Sequence, residues 1–428
     1  MYNKFTKKIT KTTQIRSTLF YYRIKYNKVT YSPNMMTPLL RNTPIFSIAQ
    51  GLLVSVAALV VTCAALVGFN LSPDKSLATL PVAIMYITTM LSSFPAALLL
   101  EKIGRKKGFM LSTIIGISGG AISTYAIINN EFWTFVFGIG LFGVFNSVGN
   151  FFRFAAADCV TYEYKSRAIS FVTLGGIVAA FVGPNIANYA KDWITGYQFA
   201  GSFAVTIFIY LLMLLILSFL YLPAENKNVN EISNTGEPRP LNKIVKQPAF
   251  IVAVSSAMLG YGVMAFMMTA TPLAMQHNNH TFDNTAFVIQ WHLLGMFIPS
   301  LFTGYLIRYV GIYSVLIAGV LIGFTCVVIN FIGHELNHYW ASLALLGICW
   351  NFLFVGGTTL LTETYQANEK AKVQGLNDFF VFSSAAFASL SAGYIQFNFG
   401  WDMVNLGVIP ALSMILISIV WAKLIQKR

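Results

Sequence analysis

Charged side chains are scarce in this sequence, and long stretches have none. Lys, Arg, Asp and Glu make up 10% of the 428 residues, whereas hydrophobic residues make up 56%. Soluble proteins contain about 25% charged residues, because their surfaces must face water. The few charges also cluster between apolar runs, as they do when a lipid bilayer excludes charge from most of a chain. The composition therefore excludes a soluble globular protein and predicts an integral membrane protein.

Cysteine is rare, and the sequence has no ATP-binding loop. The four cysteines lie in or beside apolar runs, so we expect neither a disulfide framework nor a metal site. A phosphate-binding GxxxxGK[ST] loop is absent, which argues against transport powered by ATP hydrolysis within this chain. We expect no enzyme activity and no resident cofactor. A proton gradient stays open as an energy source.

Basic residues concentrate at the N-terminus. The net charge is +13, and residues 1–44 contain nine Lys or Arg and no acid. A basic segment beside a membrane span meets anionic lipid or sets topology more often than it binds nucleic acid. We therefore expect a lipid bilayer and a small-molecule substrate as partners, no nucleic acid, and a monomer. For residues 1–34 two readings stay open: a cytoplasmic or targeting extension, or a true translation start at Met35 or Met36.

Twelve apolar runs are long enough to cross a membrane. A helix needs about 20 apolar residues to span a hydrocarbon core about 30 Å thick. The predicted all-α membrane protein has two sets of six spans, at 45–69, 78–100, 108–128, 132–157, 168–190 and 202–222, and at 249–273, 284–307, 313–333, 339–362, 373–397 and 403–422.

The placement of basic residues supports this count. If the N-terminus is cytoplasmic, all of the 28 Lys and Arg residues except Lys75 and Lys191 lie on the cytoplasmic side, as the positive-inside rule requires. An odd number of spans in either half would scramble this asymmetry. We expect a multi-pass protein of a bacterial inner membrane with both termini cytoplasmic.

A polar stretch and an internal repeat divide the chain into two halves. Residues 223–248 form a predicted cytoplasmic linker between six-helix bundles at 45–222 and 249–422, flanked by the basic extension 1–44 and a basic tail, 423–428. Gly104 recurs as Gly311 at an offset of 207, and Asp158 recurs as Glu363 at 205. Similar offsets indicate parallel repeats related by an axis along the membrane normal.

The loop after the second span resembles a family signature. The stretch ALLLEKIGRKKGF from Ala97 is similar to the G-x-L-x-D-R-x-G-R-K loop of the major facilitator superfamily (MFS), with Ala97 for the first glycine and Glu101 for the aspartate. FFRFAAAD from Phe151 and WNFLFVGGTTLLTE from Trp350 resemble a bacterial permease subgroup. The resemblance implies the MFS fold, in which twelve helices form two pseudo-symmetric six-helix bundles around a central cavity.

The resemblance also implies site residues. In the family this loop latches the cytoplasmic gate, which assigns Glu101, Arg105 and Asp158 to a charge latch; ordinary positive-inside charge is the alternative. GGIVAAFVGPN resembles a Gly-Pro motif of antiporter branches, so Gly183 and Pro184 are expected to serve helix packing. The trailing glycine pair of that motif is absent here, which weakens an efflux assignment.

Two charges lie inside the predicted spans. Each costs at least about 2.5 to 3.5 kcal/mol near the bilayer centre unless it is paired or hydrated. Arg153 has a substrate or gating role, or else snorkels to the cytoplasmic surface. Asp378 has shorter reach, so we expect it to join the latch by pairing with a base of the 101–107 loop, or to carry a proton.

Polar and aromatic residues supply the candidates for the central cavity. Asn146 and Asn351 align at the 205 offset and are the pair most expected to face it. His292 either carries protons or is a hydrogen-bonded interior histidine. The other candidates beside Arg153 are Asn150, Gln290, Trp291, Trp350 and Asn377.

These features predict a secondary transporter of a small organic solute that works by alternating access. Vitamin-like uptake and drug or metabolite efflux stay open, as do proton coupling and facilitated diffusion. The alternative from another class is a membrane sensor or assembly factor that keeps the scaffold but moves nothing.

Overall fold

The structure, a computed structural model, is all-α over the part of the chain that it describes. Those residues are 36–160, 168, 171–222, 239–366 and 368–426. The helices are α1 (Met36–Leu71), α2 (Leu80–Ile103), α3 (Arg105–Ile128), α4 (Phe132–Gly149), α5 (Phe152–Asp158), α6 (Gly175–Ala190), α7 (Ala200–Ser218), α8 (Leu241–Val245), α9 (Pro248–His277), α10 (Phe282–Phe297), α11 (Ser300–Val310), α12 (Ile312–Ile332), α13 (Leu336–Leu361) and α14 (Lys370–Gln426).

Ten helical segments of the described chain are long and apolar enough to cross a membrane, and the bent pair α10 and α11 makes an eleventh. Helix α14 has 57 residues, which corresponds to about 86 Å at 1.5 Å per residue and far exceeds one bilayer. Gly400 breaks it with φ 79° and ψ −178°, at the point where the sequence analysis separates the last two spans. With α14 counted as two crossings, the total is twelve.

The first helix begins earlier than predicted, at Met36 rather than at residue 45. Asn42, in the polar part of this helix, binds the chain that follows α7. Its side-chain amide donates to the Tyr221 carbonyl at 2.7 Å and accepts from the Tyr221 nitrogen at 3.3 Å. These bonds satisfy main-chain groups beyond the end of α7, where the chain has no helical partners to offer.

Each half has its own packed bundle. In the first half α1 packs against α6, α2 against α4, and α3 against α4 and α7; in the second, α9 packs against α13 and α14, α10 against α13, and α12 against α13. Large apolar side chains such as Phe94, Phe208 and Phe387 point away from these bundles and are more than two-thirds exposed. Such a surface suits a hydrocarbon solvent rather than water.

The glycine turns between helices confirm the repeat at the level of backbone conformation. Gly104 joins α2 to α3 with φ 84° and ψ 147°, and Gly311 joins α11 to α12 with φ 86° and ψ 151°. This region of φ and ψ is open essentially to glycine alone. The same turn therefore recurs at the predicted offset of 207.

The predicted linker is described only from Arg239 onward; residues 223–238 lie outside the described chain. Arg239 is bound to Glu369, which precedes α14: its Nη2 lies 2.7 Å from Oε2, and its Nε and main-chain nitrogen each lie 2.8 Å from Oε1. The Glu369 side chain is 2% exposed. The end of the linker is thus fixed to the second half.

The two halves meet along a surface that we call the seam, where α2 packs against α14, α6 against α10, and α1 against α9. We call the end that carries the 101–107 loop the basic end, and the other the opposite end. Near the opposite end the Gly393 nitrogen donates to Thr79 Oγ1 at 3.1 Å across the seam. In the internal repeat, α2 corresponds to α10 and the first part of α14 corresponds to α6. The contact between α2 and α14 therefore has a counterpart in the contact between α10 and α6, and the seam has approximate twofold symmetry.

Candidate substrate site

Five aromatic side chains meet at the seam, and we call them the aromatic cluster. Tyr261 on α9 lies at its centre, with ring centroids 6.2 Å from Tyr86 on α2, 5.8 Å from Trp350, 5.6 Å from Phe354 and 5.9 Å from Phe382. Trp350 and Phe354 are stacked on α13, 4.8 Å apart. Tyr86 belongs to the first half and the others to the second. Both halves therefore contribute ring faces and edges to one place.

The two charges within the spans lie beside this cluster. Arg153 on α5 and Asp378 on α14 interact electrostatically across the seam, and Arg153 also interacts with Tyr261. The amide of Asn377 donates to Asp378 Oδ1 at 3.2 Å. Asp378 was expected to pair with a base of the 101–107 loop, but its basic neighbour in the described residues is Arg153. A charge on the neighbouring half offsets the cost of placing this carboxylate in a membrane.

Polar contacts close the seam at the opposite end. The Asn185 amide on α6 donates to Gln290 Oε1 on α10 at 2.7 Å. One helical turn nearer the opposite end, Asn188 donates to Asp283, and Lys191 lies 3.9 Å from the same carboxylate. The cavity candidate Gln290 thus holds the two halves together at this end. We call these five residues the closure cluster.

The charge latch stays a prediction. Glu101 is exposed, and Arg105 is half-buried. The side chain of Asp158 lies outside the described residues. The neighbouring Lys106 donates to the Ser218 carbonyl at 2.6 Å. A cation at the last carbonyls of a helix is favourable, so Lys106 ties the loop to the end of α7.

Two cavity candidates are buried elsewhere. Asn351 is fully buried, and its amide donates to the Met296 carbonyl at 2.7 Å, at the bend between α10 and α11. It therefore binds a neighbouring helix rather than facing a cavity. His292 is also fully buried, and its Nδ1 lies 2.8 Å from the Leu343 carbonyl. Of the two hypotheses for His292, this contact agrees with a hydrogen-bonded interior histidine, because the ring binds α13 and does not face the seam.

The remaining candidates differ in position. Trp291 is 38% exposed and packs on Trp340, away from the cluster. Asn146 is half-buried, with its amide 3.4 Å from Thr89 Oγ1 on α2. Asn150 is half-buried and lies at the break between α4 and α5.

The Gly-Pro pair of α6 lies where two helices approach closely. A Cβ on Gly183 would stand 2.6 Å from the Ser55 carbonyl oxygen of α1, a distance that no larger residue tolerates without a shift. Pro184 is buried beside it. The geometry agrees with the expected packing role, since small residues let membrane helices approach one another.

Two short patterns typical of enzymes occur in the sequence but form no site. HELNH at 334–338 matches the HExxH zinc pattern, yet α13 begins only at Leu336, so His334 and His338 do not lie one turn apart on a helix. The described residues contain no group able to hold a metal ion. GISGG at 116–120 matches GxSxG, but Ser118 lies within α3 and donates to the carbonyl of Ile114.

Four members of the aromatic cluster were not among the predicted site residues: Tyr86, Tyr261, Phe354 and Phe382. The chain contains 36 Phe and 20 Tyr, and most aromatic residues of a membrane protein face lipid or the interface. No local signal separates these four from the rest. Their long-range convergence on Tyr261 is what identifies them.

Comparison with known proteins decides the family. The sequence model of the Major Facilitator Superfamily matches residues 45–389. The chain belongs to this superfamily. A relative within MFS, the riboflavin transporter RfnT of Brucella anthropi, is 39% identical over 381 residues, which cover 89% of this chain and 95% of RfnT.

More distant MFS relatives come from Bacillus subtilis. The uncharacterized MFS-type transporter YdeG is 26% identical over 85% of this chain and 87% of its own length, and YddS is 23% identical over 86% and 88%. The family and its relatives are transporters rather than enzymes. This MFS protein is therefore a multi-pass secondary transporter of a small organic solute, and a sensor without transport is not favoured.

Proposed function

We propose that this transporter imports riboflavin, or a flavin with the same ring system, across the cytoplasmic membrane. The observation that carries the proposal is the aromatic cluster around Tyr261. Ring pairs contribute about 0.5–1.5 kcal/mol beyond the area that they bury, so several rings at one site favour a flat aromatic cargo. The relative RfnT, which is named as a riboflavin transporter, aligns with nearly all of this chain.

The polar contacts across the seam indicate which side of the transporter is closed. We infer that the basic end faces the cytoplasm, because Lys and Arg collect on that side of a membrane. The closure cluster then lies on the outer side of the protein. Asp378, an exposed residue beside the aromatic cluster, lies on the inner side. This arrangement corresponds to an inward-facing state, in which an importer releases its cargo and an exporter loads it, so import is proposed from the similarity to RfnT. We further propose that the protein works as a monomer, because both halves of the site belong to one chain.

Efflux of aromatic compounds is the second candidate function. The Gly-Pro pair of α6 supports it, although the pair lacks the following glycines of antiporter branches. Efflux and import make opposite predictions for a cell that cannot synthesise riboflavin. An importer lowers the external riboflavin that the cell needs for growth, whereas an exporter raises it.

The test uses a bacterial host that lacks riboflavin synthesis and its own riboflavin importer. Expression of the full chain should restore growth at low riboflavin and produce uptake of radiolabelled riboflavin. Phe382→Ala should lower uptake at subsaturating riboflavin about tenfold, because loss of about 1.4 kcal/mol of ring contact changes an equilibrium tenfold. The matched control is Phe387→Ala on the same helix, where the ring is 74% exposed outside the cluster.

Several results would count against the proposal. A chain that reaches the membrane but produces no riboflavin uptake is not a riboflavin importer. A raised riboflavin requirement would favour efflux instead. Equal loss of uptake with Phe382→Ala and Phe387→Ala, at matched expression, would remove the aromatic cluster from the substrate site.

A further inference from the structure

One aromatic ring of the second half lies against the first half at the opposite end of the seam. Phe282 belongs to the first turn of α10, and its ring centroid is 4.8 Å from that of Phe199, at the start of α7. The Lys191 ammonium, at the end of α6, lies over the same ring, 5.5 Å from its centroid. Phe282 is thus held at two points by the other half of the transporter.

The first half builds this contact from a closed loop. Residues 191–199 join α6 to α7, and the two ends of the loop meet where the Phe199 nitrogen donates to the Lys191 carbonyl at 2.7 Å. Phe199 is 2% exposed and has φ 70°, a left-handed conformation that is uncommon for a bulky residue. The loop therefore maintains an unfavourable backbone conformation in which Phe199 and Lys191 reach the same ring.

The second half presents Phe282 on a capped helix end. Thr281 is the N-cap of α10, and its Oγ1 accepts a hydrogen bond from the Asn284 nitrogen at 3.3 Å, which stabilises the first turn. Asp283 in this turn lies 3.9 Å from Lys191 Nζ. Phe282 and Asp283 thus meet the first half side by side, and Lys191 contacts both.

Lys191 is also unusual in the predicted topology. Lys75 and Lys191 are the two basic residues that this topology places outside the cytoplasm. Lys75 is bound locally, because its Nζ donates to the carbonyls of Phe69 at 2.5 Å and Ser72 at 2.9 Å. Lys191 instead reaches the other half of the protein. Its contacts with the start of α10 indicate a function in joining the two halves.

We propose that Phe282 is an outer gate residue, and that its contact with Phe199 and Lys191 closes the cargo site from outside. In alternating access this end must open to admit cargo and close before the basic end releases it. The contact joins the two halves, so it must break whenever they separate at this end. This inference rests on the proposed import and on the orientation inferred for the basic end, and it deepens both by naming the residues that open.

A reversible cross-link distinguishes a gate from a static packing contact. The full-length double variant Phe199→Cys with Phe282→Cys is treated with a short bifunctional methanethiosulfonate reagent, and the cross-linked fraction is measured by mass spectrometry. Riboflavin uptake into liposomes should fall in proportion to that fraction and recover when a reductant cleaves the link. The physical reason is that a transporter held closed at one end cannot complete its cycle.

The matched control joins two residues within one half at the same end. His334 precedes α13 and Asp402 follows the break in α14, with His334 Nε2 3.2 Å from Asp402 Oδ1 and both side chains exposed. Cross-linking of His334→Cys with Asp402→Cys should leave uptake unchanged, because the second half moves largely as one body. Equal loss of uptake with both pairs would remove the special role of the Phe282 contact and overturn the proposal.

Labelling from outside tests the same contact without a cross-link. Met90→Cys reports from the contact between α2 and α14. Phe282→Ala and Lys191→Gln should each raise its labelling by a membrane-impermeant maleimide about two- to tenfold, because loss of the ring or of the cation favours the open state. Lys191→Arg, which keeps the charge, and Phe287→Ala, whose ring packs on Trp291 of the same helix, should leave the rate unchanged.

The outcomes separate the gate from the proposed function. If the unsubstituted protein takes up no riboflavin, the proposed import falls, and the labelling rates still decide the gate. Riboflavin import stands and the gate is overturned by any of three results: full uptake by the cross-linked protein, failure of the two cysteines to cross-link, or equal labelling of Phe282→Ala and Phe287→Ala.

Discussion

The side-chain amide of Asn351 donates a 2.7 Å hydrogen bond to the main-chain carbonyl of Met296, one turn before α11 begins. The same amide lies 2.5 Å from Ser300 Oγ, and its oxygen accepts from Thr303 Oγ1 at 2.5 Å. Helices α10 and α11 meet here at 43°. One asparagine on α13 thus satisfies the polar groups that a bend exposes inside a membrane protein.

Asn351→Leu should therefore destabilise the transporter. The substitution removes the hydrogen bonds that Asn351 makes with the Met296 carbonyl and Thr303 Oγ1, and a typical hydrogen bond contributes about 0.5–1.5 kcal/mol. The Met296 carbonyl keeps a bond from Ser300 Oγ at 3.3 Å, and Thr303 keeps its bond to the Pro299 carbonyl at 2.8 Å. The expected results are a lower midpoint of thermal unfolding in detergent and slower transport at matched expression. Thr303→Ser, which keeps the hydroxyl, is the control and should stay close to the unsubstituted protein. Equal stability of all three would show that the bend does not depend on this amide.

Gln290→Leu should shift the population toward a state open at the opposite end. It removes the bond from Asn185, and a typical hydrogen bond contributes about 0.5–1.5 kcal/mol, so the open fraction should rise about two- to tenfold. Met90 on α2 lies at the seam, where its sulfur is 2.9 Å from Ser383 Oγ of α14. The measurement is labelling of Met90→Cys by a membrane-impermeant maleimide added from outside. Asn398→Leu, a change at the same end but with only a local side-chain bond, should leave the rate unchanged. A rate that does not respond to Gln290→Leu would contradict the role of the closure cluster.

Glu369 should make stability depend on pH. Hydrogen bonds from the Arg239 side chain lower the pKa of Glu369 to about 2, below the value of about 4.3 in an unfolded chain. Its contribution is therefore fully present above about pH 4.3 and is lost as pH falls toward 2. Glu369→Gln should lower the unfolding midpoint at pH 7, and the gap to the unsubstituted protein should narrow below pH 4. Glu363→Gln, an exposed position nearby, should produce no gap, and a constant gap for Glu369→Gln down to pH 3 would contradict the assignment.

Asp378→Asn should reduce riboflavin uptake about tenfold or more, because it leaves the Arg153 charge uncompensated at the seam. The double variant Arg153→Gln with Asp378→Asn should lose less than the two single losses combined, which is the signature of interacting residues. Uptake at pH 6 and pH 8 tests proton carriage as well: a pH response that disappears in Asp378→Asn would assign the proton to this carboxylate. Additive losses would mean that the two charges act independently.

Hydropathy and charge placement predicted much of the architecture because the bilayer enforces both along the chain. Individual spans depart from it where side chains satisfy the backbone. α1 begins before its apolar run, where Asn42 binds main-chain groups of Tyr221, and Asn351 stabilises a bend in a span that was predicted to be continuous. An amide in a membrane helix can bridge helices or bind cargo, and the linear sequence does not distinguish the two.

The site was predictable only in part. Arg153, Asp378, Trp350 and Asn377 were candidates because charged and polar groups are costly in lipid. The sequence did not identify Arg153 as the electrostatic partner of Asp378, because several basic residues of the first half could approach this carboxylate and their depth in the fold is not visible in the sequence. Nor were the rings around Tyr261, since aromatic residues are common in every span.

Tyr86 and Tyr261 lie on opposite halves, so the ribosome completes one side of the site well before the other. At about 5–20 residues per second, the second tyrosine follows the first by roughly 10 to 35 s. During that interval the first bundle must persist in the bilayer with no cargo and no sister bundle. Cargo can therefore stabilise the protein only after the two bundles have docked, and until then the first half depends on its own packing to stay folded.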